Sequence, residues 1–388
     1  MRLLARLAAA ALLAVPPIAA GTASAAPEPP PAPLLTAADP VPGRYIVTLE
    51  EGQDAAKLAR ELGLKPSFVY TSAMTGFAVP LTPGELTAVR AAAGVKSVEE
   101  DASVQVPMPT ALRAPSNSWG LDRIDQRNLP LDEDFTTRGD GAGVTAYILD
   151  SGIDYAHEEF GGRAAFGFDA VGDGRQGQDC TGHGTHVAGT VAGATFGVAR
   201  KANLVSVRVL GCDGSGSWSG VIAGMDWVAK NARQPAVLNG SLGGDRSAAV
   251  NNAATALSEA GVLPVVAAGN SSVDACSFSP ASAESVVAVA ASDQSDEQTG
   301  FSDYGPCVTL YAPGQAIVSA KLGGGSVALN GTSMATPHVT GVAALYKQAH
   351  PSAAPAEVAA WLVNESTKDV VTGVGPGTPN RLLYTGGL

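Results

Sequence analysis

Val144-Thr145-Ala146-Tyr147-Ile148-Leu149-Asp150-Ser151-Gly152 is an almost unbroken apolar run that stops abruptly at a carboxylate, a hydroxyl and a glycine. A strand that is apolar on successive residues, not on alternate ones, is buried on both faces. The pattern repeats downstream at Leu204 to Leu210, Ala236 to Leu238, Val262 to Ala268, Val286 to Ala290 and Val308 to Tyr311. Helical stretches lie between and after these runs, at His186 to Ala192, Gly220 to Ala232, Ala248 to Ala260, Thr332 to His350 and Ala354 to Asn364. Buried strands alternating with helices predict an α/β fold with a parallel sheet covered on both sides. Function in such sheets gathers at the carboxyl ends of the strands, which makes Asp150 the first candidate residue.

Two further segments carry chemistry. In Thr181-Gly182-His183-Gly184-Thr185-His186, two glycines let the backbone crowd around His183 just before a helix. In Asn330-Gly331-Thr332-Ser333-Met334-Ala335-Thr336-Pro337-His338, a serine opens a long apolar helix. Ser333 would sit at the positive end of that helix dipole, where developing negative charge is favoured. Alone, each residue has an ordinary reading, such as a turn carboxylate or a structural histidine. Together they supply a nucleophile, a base to take its proton and an acid to orient the base. Ala267-Ala268-Gly269-Asn270 follows a buried strand and would bring the Asn270 amide to the same edge. With the Ser333 N–H, Asn270 is the expected pair of donors to an oxyanion.

Asp150-Ser151-Gly152-Ile153, Gly182 to Gly189 and Gly331 to Pro337 resemble the three signature segments of the subtilases. The chain order Asp, His, Ser is that of subtilisin and differs from the orders of chymotrypsin and the α/β hydrolases. Trp119 to Gln126 and Ile222 to Val228 are similar to the proteinase K branch, which includes aqualysin and cold-adapted marine relatives. The resemblance runs from about Trp119 to the end of the chain. It implies a subtilisin-like three-layer fold with a mainly parallel central sheet. It also implies a secreted serine endopeptidase that works through an acyl-enzyme and has broad specificity with an apolar or aromatic preference. By the same resemblance, Gly214, Ser215 and Gly216 with Ser217, and Ser241, Leu242 and Gly243 with Gly244, flank an extended substrate. Trp218 would line a pocket for the fourth residue before the cut, and Ala267 to Gly269 one wall of the primary pocket.

Four cysteines allow three pairings; the aqualysin-like pattern implies Cys180 with Cys212 and Cys276 with Cys307. Zinc is not expected, because Cys180, His183 and His186 lack a fourth ligand and His157-Glu158-Glu159 lacks the second histidine of a zincin motif. Asp122, Asp125, Gln126, Asp132 and Asp134 gather hard oxygen ligands in one short segment. They resemble a site in the marine relatives, so a structural calcium is expected while catalysis needs no cofactor. Thr309 stands where the proteinase K branch takes an Asp ligand for another site, and that site is not assigned.

The N-terminus has the charged, apolar and small-residue parts of a secretory signal, expected over residues 1–25. A Pro/Ala-rich linker follows at 26–42. Residues 43–106 alternate strands and helices as a small α+β, ferredoxin-like unit similar to the inhibitory propeptide of these enzymes. Residues 107–118 read as a processing linker, and 119–388 as the catalytic domain. With 24 basic and 36 acidic residues the formal charge is −12, the wrong sign for a nucleic-acid partner. The expected partners are peptide substrates and the chain's own propeptide, with no membrane contact after signal removal and a monomeric mature enzyme. Sequons at Asn239, Asn270 and Asn330 fall inside the candidate site segments, where a glycan would block the site. A binding protein on the same scaffold is disfavoured by the complete residue set, and an esterase by the residue order and the two peptide-pairing segments.

Overall fold

A computed structural model describes residues 30–106 and 118–388. The expected signal segment at 1–25 lies outside the described residues, as does the processing linker up to residue 117.

The N-terminal unit runs β1 (Leu34–Leu35), β2 (Pro40–Leu49), α1 (Ala55–Glu61), β3 (Phe68–Tyr70), β4 (Gly76–Pro80), α2 (Pro83–Ala91) and β5 (Val95–Gln105). Its strands lie in the order β1-β5-β2-β4-β3, and Ala55, Ala59 and Val89 of the helices pack on Val47, Phe77 and Val98 of the sheet. The start of α2 is written locally: the Thr82 hydroxyl and the Glu85 carboxylate accept each other's backbone N–H, and Pro83 supplies a first residue that needs no partner. The described part of the stretch read as a linker at 26–42 is paired with the rest of the unit: the Ala32 N–H donates to the Arg90 carbonyl at 2.7 Å. Leu34 and Leu35 pair with Val98 and Glu99, and β2 begins at Pro40 opposite Ala102. Proline is tolerated there because the register shifts between Pro40 and Tyr45, and a strand start or bulge does not need the missing N–H.

After residue 117 come α3 (Trp119–Asp125), β6 (Thr145–Asp150), β7 (Ala164–Asp169), α4 (His183–Ala192), β8 (Asn203–Arg208), β9 (Ser215–Ser217), α5 (Trp218–Asn231), β10 (Ala236–Gly240), β11 (Gly244–Asp245) and α6 (Ala248–Glu259). They are followed by β12 (Leu263–Ala267), β13 (Phe278–Ser279), β14 (Val287–Ser292), β15 (Leu310–Pro313), the hairpin β16 (Ile317–Ala320) and β17 (Ser326–Leu329), α7 (Thr332–Ala349), α8 (Pro355–Glu365), β18 (Thr367–Lys368) and β19 (Arg381–Leu382). The central sheet has the order β18-β19-β15-β14-β12-β10-β6-β8-β7. Its strands pair in parallel except for β18 with β19.

The layers follow from the side-chain alternation of each strand. Ala146 and Ile148 of β6 face the core built with α4 and α7, through Val187, Val191, Val339 and Val342. Tyr147 and Leu149 face the opposite core with α5 and α6, through Val221, Ile222, Val250 and Leu257. Both faces are covered, so the strand reads as continuously apolar. Several elements lacked such a signal in the sequence, β7 and α3 among them. β7 lies at the sheet edge with Phe166 half exposed, and α3 is too short to show a helical period. No helix among the described residues is long and apolar enough to cross a membrane.

The first unit is clasped to the second through helix starts. Asp101 accepts the N–H (2.9 Å) and hydroxyl (2.6 Å) of Ser219 at the start of α5, and Glu99 accepts the Ala249 N–H (3.1 Å) at the start of α6. Carboxylates suit these positions because the first helical N–H groups have no partner within the helix. In return, Asp226 of α5 accepts three consecutive N–H groups, from Thr71 (2.9 Å), Ser72 (2.6 Å) and Ala73 (2.8 Å).

Candidate active site

Asp150 ends β6, between β8 and β10, and is fully buried. Its Oδ1 accepts the Ser151 N–H at 2.7 Å and lies 2.8 Å from His183 Nδ1. Only glycine allows this turn. A Cβ on Gly152 would stand 2.6 Å from the Gly177 carbonyl oxygen, and one on Gly184 would stand 2.2 Å from that of Gly152. α4 starts at His183, three residues earlier than the sequence pattern indicated, with Gly182 as its cap at φ 89°. The first turn of the helix therefore carries the ring up to the carboxylate. Burial alone would lower the His183 pKa, but the adjacent Asp150 charge and hydrogen bond outweigh it and hold the pKa above the ordinary histidine value. His186, one turn on, is pushed down to about 3 by burial and is a neutral core residue.

Ser333 is the second residue of α7, after Gly331 at φ 147°. Its hydroxyl donates to the Ser241 carbonyl at 3.1 Å and not to His183. Catalytic hydrogen bonds are often long in resting enzymes and tighten when substrate arrives. Pro337 inside α7 lacks the N–H that would otherwise bond the Ser333 carbonyl. The Ser241 hydroxyl takes that carbonyl instead, at 2.9 Å. Asn239 Nδ2 supports Ser241 at 2.9 Å, and the Thr340 hydroxyl supports Asn239 at 2.8 Å. Sequence reasoning placed Asn239 in a site segment only as a sequon, without this supporting role, and missed Thr340; the proline in an otherwise apolar helix was the available signal.

Asn270 follows β12, and its Oδ1 accepts the Thr332 N–H (2.8 Å) and hydroxyl (3.1 Å). An N–H can only donate, so this contact fixes the amide orientation and leaves Nδ2 as the outward donor. Asp303 shapes the turn around Asn270 by accepting the N–H groups of Ser271 (2.8 Å) and Val273 (3.0 Å). The Cys276–Cys307 disulfide ties the two segments together, and Cys180 pairs with Cys212, the pairing that the resemblance implied.

A cavity of about 200 Å³ opens beside Ser333, lined by Leu242, Gly243, Ala267, Gly269 and Asn270 and closed by Gln105 and Val106. The end of β5 lies antiparallel on β9: Ser103 faces Ser217, Val104 faces Gly216 and Gln105 faces Ser215, and the Val106 N–H donates to Gly214 at 3.0 Å. The N-terminal unit thus occupies the edge that Gly214, Ser215 and Gly216 would offer to a substrate. Trp218 is buried in the same apolar cluster as Val104, Val106 and Leu242. Gly244 pairs within the chain, with Ser279 across β11 and β13, so the second edge segment ends before it.

Of the five expected calcium ligands, Asp122 and Asp125 lie on α3 and Gln126, Asp132 and Asp134 in the loop after it, and their groups are turned onto that loop. The Asp122 carboxylate accepts the N–H groups of Asp132 (3.3 Å) and Glu133 (2.8 Å), and Asp125 that of Thr136 (2.7 Å). Gln126 Oε1 shares the Asp132 N–H at 3.3 Å, Asp132 accepts the Asp134 N–H at 3.1 Å, and Asp134 accepts the Phe135 N–H at 2.9 Å. Among the described residues no three His, Cys, Asp or Glu side chains converge as a preformed metal cage. Burial raises the pKa of Asp122 and Asp125, and the charge of Asp132 adds to it.

Residues 141–382 match the model of the subtilase family and residues 63–107 that of the peptidase inhibitor I9 family. The chain is 46% identical to an extracellular serine proteinase of Thermus sp. (strain Rt41A), over 91% of this chain and 92% of the relative. It is 44% identical to alkaline serine exoprotease A of Vibrio alginolyticus, over 92% of this chain and 70% of the relative. The crystal structure of a cold adapted subtilisin-like serine proteinase is 50% identical, with a TM-score of 0.68, over 70% of this chain and 99% of that one. With the carboxylate, the imidazole and the serine on one sheet edge and identity of this extent, the chain belongs to the subtilase family of serine proteinases and carries an inhibitor I9 domain ahead of its subtilase domain.

Proposed function

We propose that this chain is the precursor of an extracellular serine endopeptidase whose nucleophile is Ser333, with His183 as general base and Asp150 as the residue that orients it. The observation that carries the reading is the 2.8 Å contact between His183 Nδ1 and Asp150, which leaves Nε2 as the nitrogen free to take a proton. Ser333 Oγ bonds to the scissile carbonyl carbon as its proton passes to His183. The imidazolium then protonates the departing amine, the carbon–nitrogen bond breaks, and an acyl-enzyme remains. Water repeats the two proton transfers in reverse and frees the acid. The oxyanion formed at each stage meets the Ser333 N–H, which has no partner among the described residues at the start of α7, and Asn270 Nδ2. Replacing Asn270 by Ala is expected to cost about 10²- to 10³-fold in kcat with KM little changed, the scale established for this donor in subtilisin.

The glycine-edged strand β9 and the cavity wall formed by Leu242, Gly243, Ala267 and Ala268 support broad specificity with an apolar or aromatic preference before the cut. The test is turnover of a chromogenic peptide amide with Phe at that position, together with labelling of the matured enzyme by an organophosphorus reagent and mapping of the modified peptide. A label on any residue but Ser333, or no turnover by matured enzyme, sinks the reading.

The N-terminal unit acts as an intramolecular inhibitor in this reading, because β5 fills the substrate edge. Asp226→Ala strips the acceptor from three backbone N–H groups, and charge-assisted hydrogen bonds contribute roughly 1.5–3 kcal/mol. Inhibition should weaken by about 10- to 100-fold, read as earlier onset of activity during maturation. Maturation on the wild-type time course would remove Asp226 from the clasp.

No cofactor takes part in these steps. A structural calcium at the Asp122 to Asp134 loop is a separate proposal, supported by the oxygen donor set and by the crowding of Asp122 and Asp125 with Asp132. Binding would require the carboxylates to leave their backbone partners. Calcium at 100 times its dissociation constant should then stabilise the fold by about 2.7 kcal/mol. Identical melting temperatures in calcium and in chelator would rule the ion out. The mature enzyme is expected to be a monomer that acts on proteins and peptides and engages neither nucleic acid nor membrane.

A further inference from the structure

Asp179 has no part in the chemistry above, yet it is only 6% exposed and both its oxygens are engaged. Oδ1 accepts the Ser151 hydroxyl at 2.9 Å, the Thr181 N–H at 2.9 Å and the Gly182 N–H at 3.1 Å. Oδ2 accepts the Thr185 N–H at 2.9 Å and the Thr185 hydroxyl at 2.6 Å. These partners belong to two separate pieces of the site. Ser151 directly follows Asp150 at the end of β6, whereas Thr181, Gly182 and Thr185 surround His183 at the start of α4. Ser151 tightens the junction further, because its oxygen also accepts the Gly184 N–H at 3.0 Å and the Thr181 hydroxyl at 2.8 Å.

The helix start explains why a carboxylate is needed. Gly182 caps α4 and has no side chain to offer, so Asp179 supplies from outside the acceptor for the Thr185 N–H. Among the described residues Asp179 forms no salt bridge, so its buried charge rests on these donors and on the positive end of the helix. Its own place is anchored by the next residue, since Cys180 is disulfide-bonded to Cys212 against the buried Arg208.

We infer that Asp179 is a positioning residue that locks the strand end bearing Asp150 to the helix start bearing His183, and so sets the geometry of that pair. The inference rests on the proposed triad. A neutral side chain of the same shape keeps one acceptor but presents N–H groups to Thr185, so the helix start must shift against the strand. Displacement of a catalytic pair by about 1 Å can cost on the order of 10²-fold in rate. Burial pulls the His183 pKa down, while the charge of Asp150 and, after it, that of Asp179 push it up. Loss of the Asp179 charge should therefore move the acid limb of the rate profile as well.

The experiment uses the full-length precursor, matured and counted by stoichiometric labelling of active sites, with a Phe peptide amide as substrate. For Asp179→Asn, kcat should fall by about 10- to 100-fold with KM unchanged, and the acid midpoint of kcat should move to lower pH. Ser151→Ala removes one strut without changing charge, so kcat should fall by about 3- to 10-fold while the midpoint stays. Wild-type kcat and midpoint in Asp179→Asn, with only faster thermal inactivation, would reduce Asp179 to a fold-stabilising residue and overturn the inference. If Asp179→Asn does not mature, Ser151→Ala and Thr185→Val decide: a kcat loss in either supports the inference, and wild-type kcat in both overturns it. Retained turnover in Ser333→Ala would instead sink the triad itself, whereas a dead Ser333→Ala beside a normal Asp179→Asn sinks only the positioning claim.

Discussion

Replacing Ser333 by Ala is expected to lower hydrolysis of a Phe peptide amide by about 10⁶-fold, the scale of nucleophile removal in subtilisin. That is about 8 kcal/mol of transition-state stabilisation. The size of the effect follows from how little else the site can do without the hydroxyl. The Asn270 amide, the α7 helix start and the β9 edge would still bind substrate and polarise its carbonyl, which accounts for a residual rate above water. The fold should survive, since the hydroxyl's single hydrogen bond is to the Ser241 carbonyl, while the Ser333 carbonyl keeps its contact with the Ser241 side chain. Mass spectrometry of the purified chain supplies a second readout. The wild type should lose its N-terminal unit and the variant should remain full length. A variant that both matures and turns over substrate at wild-type rates would show that another residue is the nucleophile.

Asp150→Asn comes next in size, with an expected loss of about 10⁴-fold in kcat at neutral pH, the scale seen when the orienting carboxylate of a serine protease becomes an amide. Asp150 Oδ1 receives both the Ser151 N–H and the His183 Nδ1 proton. An amide there can turn its NH₂ toward His183, which would then carry its proton on the nitrogen that must act as base. The pH profile should change in a definite direction. The base must be neutral, so activity falls as pH drops through the His183 pKa. In the wild type that pKa is held above the ordinary histidine value of about 6.5 because the Asp150 charge outweighs burial. Without the charge, burial dominates and the acid midpoint should fall below about 6.5, so the variant keeps its residual activity at a pH where the wild type has lost most of its own. An unchanged midpoint would mean that the acid limb reports some other group.

The same residues show how far the sequence could be followed. Asp150, His183, Asn270 and Ser333 were legible because each stands at a break between an apolar run and a glycine, and a parallel sheet brings such breaks to one edge. The supporting residues were not legible in this way. Asn239 and Thr340 stand about a hundred positions apart in the chain and meet in one hydrogen bond, and Asp179 reads as an ordinary loop carboxylate beside a cysteine. A hydrogen bond between distant residues leaves no periodic trace.

The loop expected to hold calcium marks the same boundary from the other side. Five oxygen-bearing side chains in one short segment suggested a ligand set, yet the loop's own N–H groups occupy those oxygens. Composition specifies which donors are near one another, but chain direction specifies where they point. The start of α4 gives a further case, because helical character was read from His186 while packing against β6 winds the first turn back to His183. Local propensity alone does not support a turn headed by His-Gly-Thr; the Asp179 carboxylate, held by a different part of the fold, completes it.

The sequence by itself determined the α/β layering, the sheet edge where the candidate residues gather and the choice of groups proposed to react, because buried strands and glycine breaks are local patterns written every few residues. Only the tertiary structure decided which oxygen meets which N–H: that Asp226 grips residues 71–73, that β5 lies on β9, and that Asp179 joins the ends of β6 and α4. Those contacts join segments far apart in the chain, and their strength depends on distance and burial, which exist only once both segments have been packed in place.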